Sequence, residues 1–363
     1  MEPVTHFLTG ACIGRAGLNR KTAYATLAAV LAAEAADLDI VWGFAGPVAS
    51  LQHHRGITHT FWAVPVVAGV VVGAVWLIDR WRNSRKKEPA SPPTQPIHWG
   101  WLYLTAVLAS LSHILLDWTN NYGVRPLFPL NPRWYAGSFM FIVEPILYLL
   151  FFLALFMPWV LGLADREIGA RRKPFRGRGW AVFAIVGMLI LGCVRWAEHA
   201  HTLALIENTD LASEPILRAA AEPYPINPFH WHAIFETPDF YQTAEINALT
   251  GAIQTDPLTN VLYKPNDTPA VEAAKRTYLG RVYLDWGTWA VVRDLGHEPI
   301  AGLTPPNLPP TRTWTTVEFS DLRFHYTFLT SPSVAGRSPL GGWVYIVDGR
   351  DDAGEVMGGR VQH

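Results

Sequence analysis

The sequence predicts an α-helical integral membrane domain followed by a mostly β soluble domain. Three observations carry this. Several long runs nearly free of charge lie before residue 205. Beyond about residue 207 the chain turns polar and Pro-rich and shows short stretches of period-2 alternation, the pattern of half-buried strands. Of the 363 residues, 50% are hydrophobic and only 16% are charged, and sixteen are tryptophans. The expected domains are therefore residues 1–205 and 206–363. The net charge of −1 lacks the basic surface that nucleic-acid binding requires, so no such partner is expected. Cys12 and Cys193 both lie in apolar segments and form neither a zinc-thiolate nor a disulfide pattern.

The elements follow in order. The opening "MEPVTHFLTGACIGRAGLNRK" has no basic n-region, and Thr5, His6 and Arg15 break its apolar stretch. It reads as a short N-terminal helix rather than a cleavable signal. Thr22 to Gly43 is Ala-rich and carries Glu34, Asp37 and Asp39. As a span it would need those acids to face protein or water. Phe61 to Ile78 is uncharged, Trp99 to Leu116 is interrupted only by His113, Phe139 to about Leu163 carries a lone Glu144, and Trp180 to Val194 is the last run. Each approaches the ~20 residues that cross a bilayer, so about five spans are expected after the short helix.

Basic residues orient the spans. Arg80, Arg82, Arg85, Lys86 and Lys87 cluster in one loop, where "EPASPPTQP" is a Pro-rich linker; Arg166, Arg171, Arg172, Lys173, Arg176 and Arg178 cluster in another. With both loops cytoplasmic, the Phe61 span runs inward, the Trp99 span outward, the Phe139 span inward and the Trp180 span outward. The C-terminal domain is then extracytoplasmic. In that domain "GRVYLDWGTWAVV", "TTVEFSDLRFHYTF" and "GGWVYIVDG" read as strands, and "DGRDDAGEV" as a hairpin turn. A short helix is expected near Pro269 to Leu279, and a loop at Pro299 to Pro310.

Four clusters bear chemistry: His6; Glu34, Asp37 and Asp39; His53, His54, Arg55 and His59; and His113, Asp117, Asn120 and Tyr122. His113 and Asp117 are four apart and share one helix face. The orientation brings the last three clusters, and Glu144, to one membrane face. Imidazoles mixed with carboxylates suit a divalent metal, zinc first and manganese or iron next. One or two ions are expected, activating water for hydrolysis. The candidate ligands are the imidazoles and carboxylates of these clusters. Arg55 would contact a substrate anion, Gly56 would permit the turn between the histidines, and Glu34 or Glu144 would carry protons or support the ligands. His53 reads as a bystander, because adjacent histidines point apart. His199, His201, His230 and His232 are further candidates for which surface or packing roles are the expectation.

The stretches "THFLTGACIG", "AAEAADLDIVW", "HRGITHTF" and "SHILLDWTNNYGVRPLFP" resemble the membrane-bound metal-dependent hydrolase family of bacterial inner membranes. The similarity covers roughly Met1 to Leu163. It implies a multi-pass inner-membrane protein whose metal centre draws, by motif position, on His6, Asp37, Asp39, His54, His59, His113 and Asp117. A more distant likeness, in His/Asp ligand content only, is to zinc-dependent phospholipase C. The expected partners are therefore the lipid bilayer and a lipid-like or phosphorylated substrate, with ester or phosphoester hydrolysis as the activity. The rival expectation is a non-enzymatic membrane protein with a structural metal or an ion-transport role and an envelope-binding C-terminal domain. Transporters more often show inverted repeats and broken mid-membrane helices, and the sequence shows neither.

Overall fold

The computed structural model describes residues 1–85, 95–168, 177–208, 214–256, 260–326 and 340–362. Residues 88–94 of the expected linker (88–96) and the loop cations Lys86, Lys87, Arg171, Arg172, Lys173 and Arg176 lie outside those residues. The helices are α1 (Pro3–Arg15), α2 (Ala25–Glu34), α3 (Pro47–His53), α4 (Ala63–Ser84), α5 (Trp99–Thr119), α6 (Pro145–Glu167), α7 (Arg178–Glu207), α8 (Pro269–Arg276) and α9 (Tyr278–Trp286). The chain divides into two compact units. The first holds residues 1–38, 55–201 and 223–230; the second holds 39–54, 202–222 and 231–363.

Among the described residues four helices, α4 to α7, are long and apolar enough to cross a bilayer. The 22 residues of α4 reach ~33 Å at 1.5 Å per residue, enough for a ~30 Å hydrocarbon core. The expected span at Thr22 to Gly43 is not among them. Its α-helix is the ten-residue α2, ending at Glu34, and a 3-10 segment, Ala35–Ala45, replaces the rest. Ten residues cover only ~15 Å. The third span starts at Pro145 rather than Phe139, because proline fits the first helical position, where its missing N–H is not needed. Glu144 therefore precedes the helix instead of lying inside it.

Small residues set how closely the first unit packs. Gly10 and Gly14 of α1 are four apart, and both are buried. A Cβ on Gly10 would lie 2.7 Å from the Ala29 carbonyl oxygen, and one on Gly14 would lie 2.6 Å from Thr26 Cα. Opposite them α2 buries Ala25, Ala28, Ala29, Ala32 and Ala33, an alanine stripe at helical spacing. This is the small-xxx-small contact that brings helix backbones together in lipid, where no hydrophobic effect drives helices to associate. Ala28, Ala29, Ala32 and Ala33 also meet Ala68, Val71 and Val75 of α4 and Leu102, Ala106 and Ala109 of α5.

The second unit contains two five-stranded sheets. In one, β1 (Arg218–Pro223), β2 (His230–Glu236), β3 (Phe240–Asn247) and β4 (Ala252–Gln254) are neighbours in that order, and β5 (Val261–Tyr263) also pairs with β3. In the other, β6 (Ala290–Asp294), β7 (Trp314–Asp321), β8 (Gly342–Val347), β9 (Asp351–Met357) and β10 (Arg360–Val361) form an antiparallel meander. The expected β8–β9 hairpin is present. Asp348 and Gly349 adopt φ of 50° and 65°, the left-handed pair that a tight hairpin turn demands. Of the expected strand "GRVYLDWGTWAVV", the first part, "GRVYLDW", is instead most of α9, and only its end, from Ala290, enters β6. Leu279, Val282, Tyr283 and Trp286 are the large buried residues of α9, beside Gly280, a 3.6-residue period in which Val282 and Trp286 also fit alternation. The expected helix near 269–279 stops at Arg276, because Thr277 is extended and caps α9 by accepting from Gly280 N. Residues 39–54 group with this unit. Its α3 packs on α9 and β9, and Gln362 accepts from Val48 N at 3.0 Å and donates to the Ala45 carbonyl at 3.1 Å.

Two predictions follow from this packing. Gly10→Val or Gly14→Val forces α1 off α2 and should destabilise the protein by about 1–3 kcal/mol, read as a lower midpoint of thermal unfolding in detergent. In the second unit, burial, with His232 nearby, pushes the His325 imidazole down to about 4 from 6.5. The unfolded chain then binds the extra proton first as pH falls. Stability should decline between about pH 6.5 and 4 by up to ~3 kcal/mol, and His325→Gln should flatten that part of the profile.

Candidate metal centre

The centre is assembled in the first unit by four segments of chain. α5 contributes His113 and Asp117 from one face. The 3-10 turn Ile57–His59 contributes His59, the start of the 3-10 segment after α2 contributes Asp37, and α1 contributes His6. One ligand-type atom from each of Asp37, His59, His113 and Asp117 lies within 4.8 Å of all the others. His59 Nε2 is 3.0 Å from His113 Nε2. It lies 3.4 Å from Asp37 Oδ1 and 3.3 Å from Asp117 Oδ2. His6 stacks on His113 with centroids 3.7 Å apart, and its Nε2 is 3.3 Å from Asp117 Oδ1. The Met1 amino group reaches the same carboxylate.

Hydrogen bonds on the far side of the rings orient the inner atoms. His113 Nδ1 is 2.5 Å from the Ala33 carbonyl oxygen, which can only accept, so Nδ1 carries a proton, and in the neutral ring the Nε2 lone pair faces inward. His59 Nδ1 is 3.0 Å from Thr58 Oγ1. Inward lone pairs from imidazoles and carboxylates repel one another unless a cation or protons lie between them. Three buried atoms also lack any hydrogen-bond partner: both ring nitrogens of His6 and Asp117 Oδ2. Nitrogen and carboxylate donors with unspent lone pairs fit a divalent metal such as zinc. The group could hold a metal ion.

Arg55 does something other than expected. Its Nη2 pairs with Asp117 Oδ1 at 2.9 Å, and its Nη1 donates to Asn120 Oδ1 at 3.1 Å and the Gly123 carbonyl at 2.9 Å. The guanidinium also lies 4.8 Å from the Tyr122 ring centroid. It is 2% exposed and clamps the histidine turn onto the end of α5. The left-handed residue of that turn is Arg55 itself (φ 53°), while Gly56 has φ −86°. Gly123, with φ 85°, needs to be glycine, since a Cβ there would sit 3.2 Å from the Tyr135 carbonyl oxygen.

Asp39 and His54 belong to the second unit and pair with each other at 3.0 Å. His53 stacks on Trp42. Glu34 ends α2, and its Oε1 is buried with no hydrogen-bond partner. Glu144 is committed elsewhere: its Oε2 accepts from Arg195 Nη2 at 2.7 Å, both side chains being fully buried. Arg195 also donates to the Tyr224 and Asn227 carbonyls at 2.8 and 3.2 Å. This corrects the proton-carrying role expected for Glu144. His199 and His201 lie on α7, His230 packs edge-on to Tyr224, and His232 Nδ1 is 3.2 Å from Glu245 Oε1. Arg195 had no place in the sequence reading. Its only signal there was a lone cation at the end of an apolar run.

Four apolar helices and a buried His/Asp cluster define an integral membrane protein with a potential metal centre. The chain belongs to the YdjM inner membrane protein family, whose model matches residues 1–202. It is also 25% identical over 157 residues to the uncharacterized protein YfhP of Bacillus subtilis (strain 168), covering 41% of this chain and 43% of that relative. The match thus spans less than half the length of the curated relative. No solved structure matches the chain. The inner-membrane part of the expected resemblance is established at the family level.

Glu144→Ala should leave Arg195 buried without its countercharge and destabilise by about 3–5 kcal/mol. The double variant Glu144→Ala/Arg195→Met should cost less than the sum of the two single changes, measured as a double-mutant cycle in thermal or denaturant unfolding.

Proposed function

We infer that this protein is a membrane-embedded, metal-dependent hydrolase centred on His6, Asp37, His59, His113 and Asp117. The observation that carries the reading is the convergence of four inward ligand atoms within 4.8 Å at the buried end of a membrane helix. Zinc suits this donor set best, with manganese or iron as alternatives. A divalent cation held there would lower the pKa of a water and stabilise charge developing on an ester oxygen.

The chain's own groups have separate parts. Asp117 supplies charge, and Arg55 holds its carboxylate in place. His113 is fixed by the Ala33 carbonyl, and His6 closes the side facing α1. Glu34, one helical turn before Asp37, is the group suited to carry a proton.

The substrate we propose is an ester or phosphoester of a lipid or envelope component. Asp37 is 19% exposed, whereas the side chains of His6, His59, His113 and Asp117 are at most 1% exposed. Access is therefore past Asp37. Its neighbour Leu38 is exposed, as are Ile57, Phe61 and Trp62 on either side of His59. Apolar residues beside the accessible ligand favour a substrate that arrives from lipid. We place the centre at the outer face of the membrane and the β-rich unit outside the cell, an orientation that the basic residues Arg20, Lys21, Arg80, Arg82 and Arg178 support.

Elemental analysis of the purified protein tests the reading. At least one equivalent of a transition metal is expected, falling below about half an equivalent in Asp117→Ala and His59→Ala. Hydrolysis of a model phosphodiester or ester should fall with it. Wild-type protein without metal would remove the centre, and metal without hydrolysis of any such ester would leave it structural.

A further inference from the structure

A cavity of about 620 Å³ opens in the first unit between the turn after α1, the start of α5 and the start of α7. Its volume lies in the usual range for small-ligand sites. Three cations, Arg20, Lys21 and Arg178, line it together with Trp101, and the wall continues along Ile13, Leu108 and Ile185. No acidic residue is among the lining residues described.

The arrangement has a direction. On α5 the lining runs from Trp101 to Leu108, and on α7 from Arg178 to Ile185. Both steps are seven residues, or ~10 Å along a helix. Each begins with a polar or amphipathic group and ends with an aliphatic one. The result is a slot with a cationic rim and an apolar wall. Two contacts hold the rim. Arg178 Nε donates to the Ala16 carbonyl at 3.0 Å, and Lys21 Nζ lies 5.5 Å from the Trp101 ring centroid. Gly17, at φ 151°, makes the turn, and a Cβ there would already touch the Arg178 guanidinium at 3.5 Å.

Three basic side chains around one opening favour an anion there. A soluble anion would use the rim and leave the aliphatic wall bare. A phospholipid uses both, with its phosphate at the rim and the first part of an acyl chain along the wall. Basic pockets between membrane helices recognise anionic headgroups in this way, and tryptophan favours the same interfacial depth. The slot is also distinct from the candidate metal centre, since Trp101 and Asp117 are sixteen residues, ~24 Å, apart along α5.

We propose that this slot is a binding site for an anionic phospholipid of the bilayer, with Arg20, Lys21 and Arg178 holding the phosphate and Ile13, Leu108 and Ile185 the chain. The site does not depend on the hydrolase reading. The test uses the full chain in detergent, offered equal amounts of phosphatidylglycerol and phosphatidylcholine with identical chains, with retained lipid read by native mass spectrometry. Wild type should prefer phosphatidylglycerol, and Arg20→Gln/Lys21→Gln should reduce that preference roughly 10- to 30-fold. Arg20→Lys/Lys21→Arg should keep it, which separates loss of charge from loss of fold. Leu108→Trp should lower retention of both lipids by filling the slot. Equal retention of the two headgroups by wild type, an unchanged preference in the Gln variant, or complete displacement of phosphatidylglycerol by millimolar inorganic phosphate would each overturn the proposal.

Discussion

The Asp117 carboxylate is fully buried on a membrane-spanning helix, and much of the first unit is arranged to compensate its charge. An isolated carboxylate in such surroundings is too costly to keep ionised. Arg55 supplies a direct countercharge, and His6, His59 and His113 bring ring nitrogens to within 3.4 Å. These partners come from α1, from the histidine turn and from α5 itself. The carboxylate therefore ties together segments that are far apart in the chain. Arg55 strengthens the tie by also holding Asn120 and the Gly123 carbonyl, so the turn after α5 and the turn before α4 are fixed as one piece.

Close helix packing makes that arrangement reachable. Gly10 and Gly14 let α1 lie against the alanine stripe of α2, and this brings His6 onto His113. The same stripe lets α2 approach α5 until the Ala33 carbonyl meets His113 Nδ1. Glycine and alanine, which contribute no chemistry, set the distances on which the candidate metal centre depends. The first unit also has polarity along its axis: inward ligands gather near one end of α5, and the cations Arg20, Lys21 and Arg178 near the other. Glu144 and Arg195 form a separate buried pair that anchors residues 224–227 to α7.

How much of this was legible depended on range. The i, i+4 spacing of His113 and Asp117 placed both on one face, and the structure keeps them there. The apolar runs located the four long helices, although the third begins later and the expected fifth is broken at Glu34. "GRVYLDW" misled because Val282, Leu284 and Trp286 alternate as a strand would, while Leu279, Val282, Tyr283 and Trp286 form the helical face that is buried. Arg55 looked like an anion contact because an arginine beside metal-type histidines has two chemical uses, and only its partner distinguishes them. Glu144 looked available because nothing near it in sequence shows Arg195, which is 51 residues away.

The sequence by itself determined that this is a membrane protein with a polar, strand-rich C-terminal part, and it marked the residue types of the centre. Hydrophobic period, run length and motif spacing are local properties and survive reading in one dimension. Tertiary structure alone decided which carboxylate each cation compensates, that Asp37 joins His59 and His113, and that residues 39–54 group with the β-rich unit. Those outcomes rest on contacts between distant segments, where a shift of a few ångströms exchanges one buried partner for another.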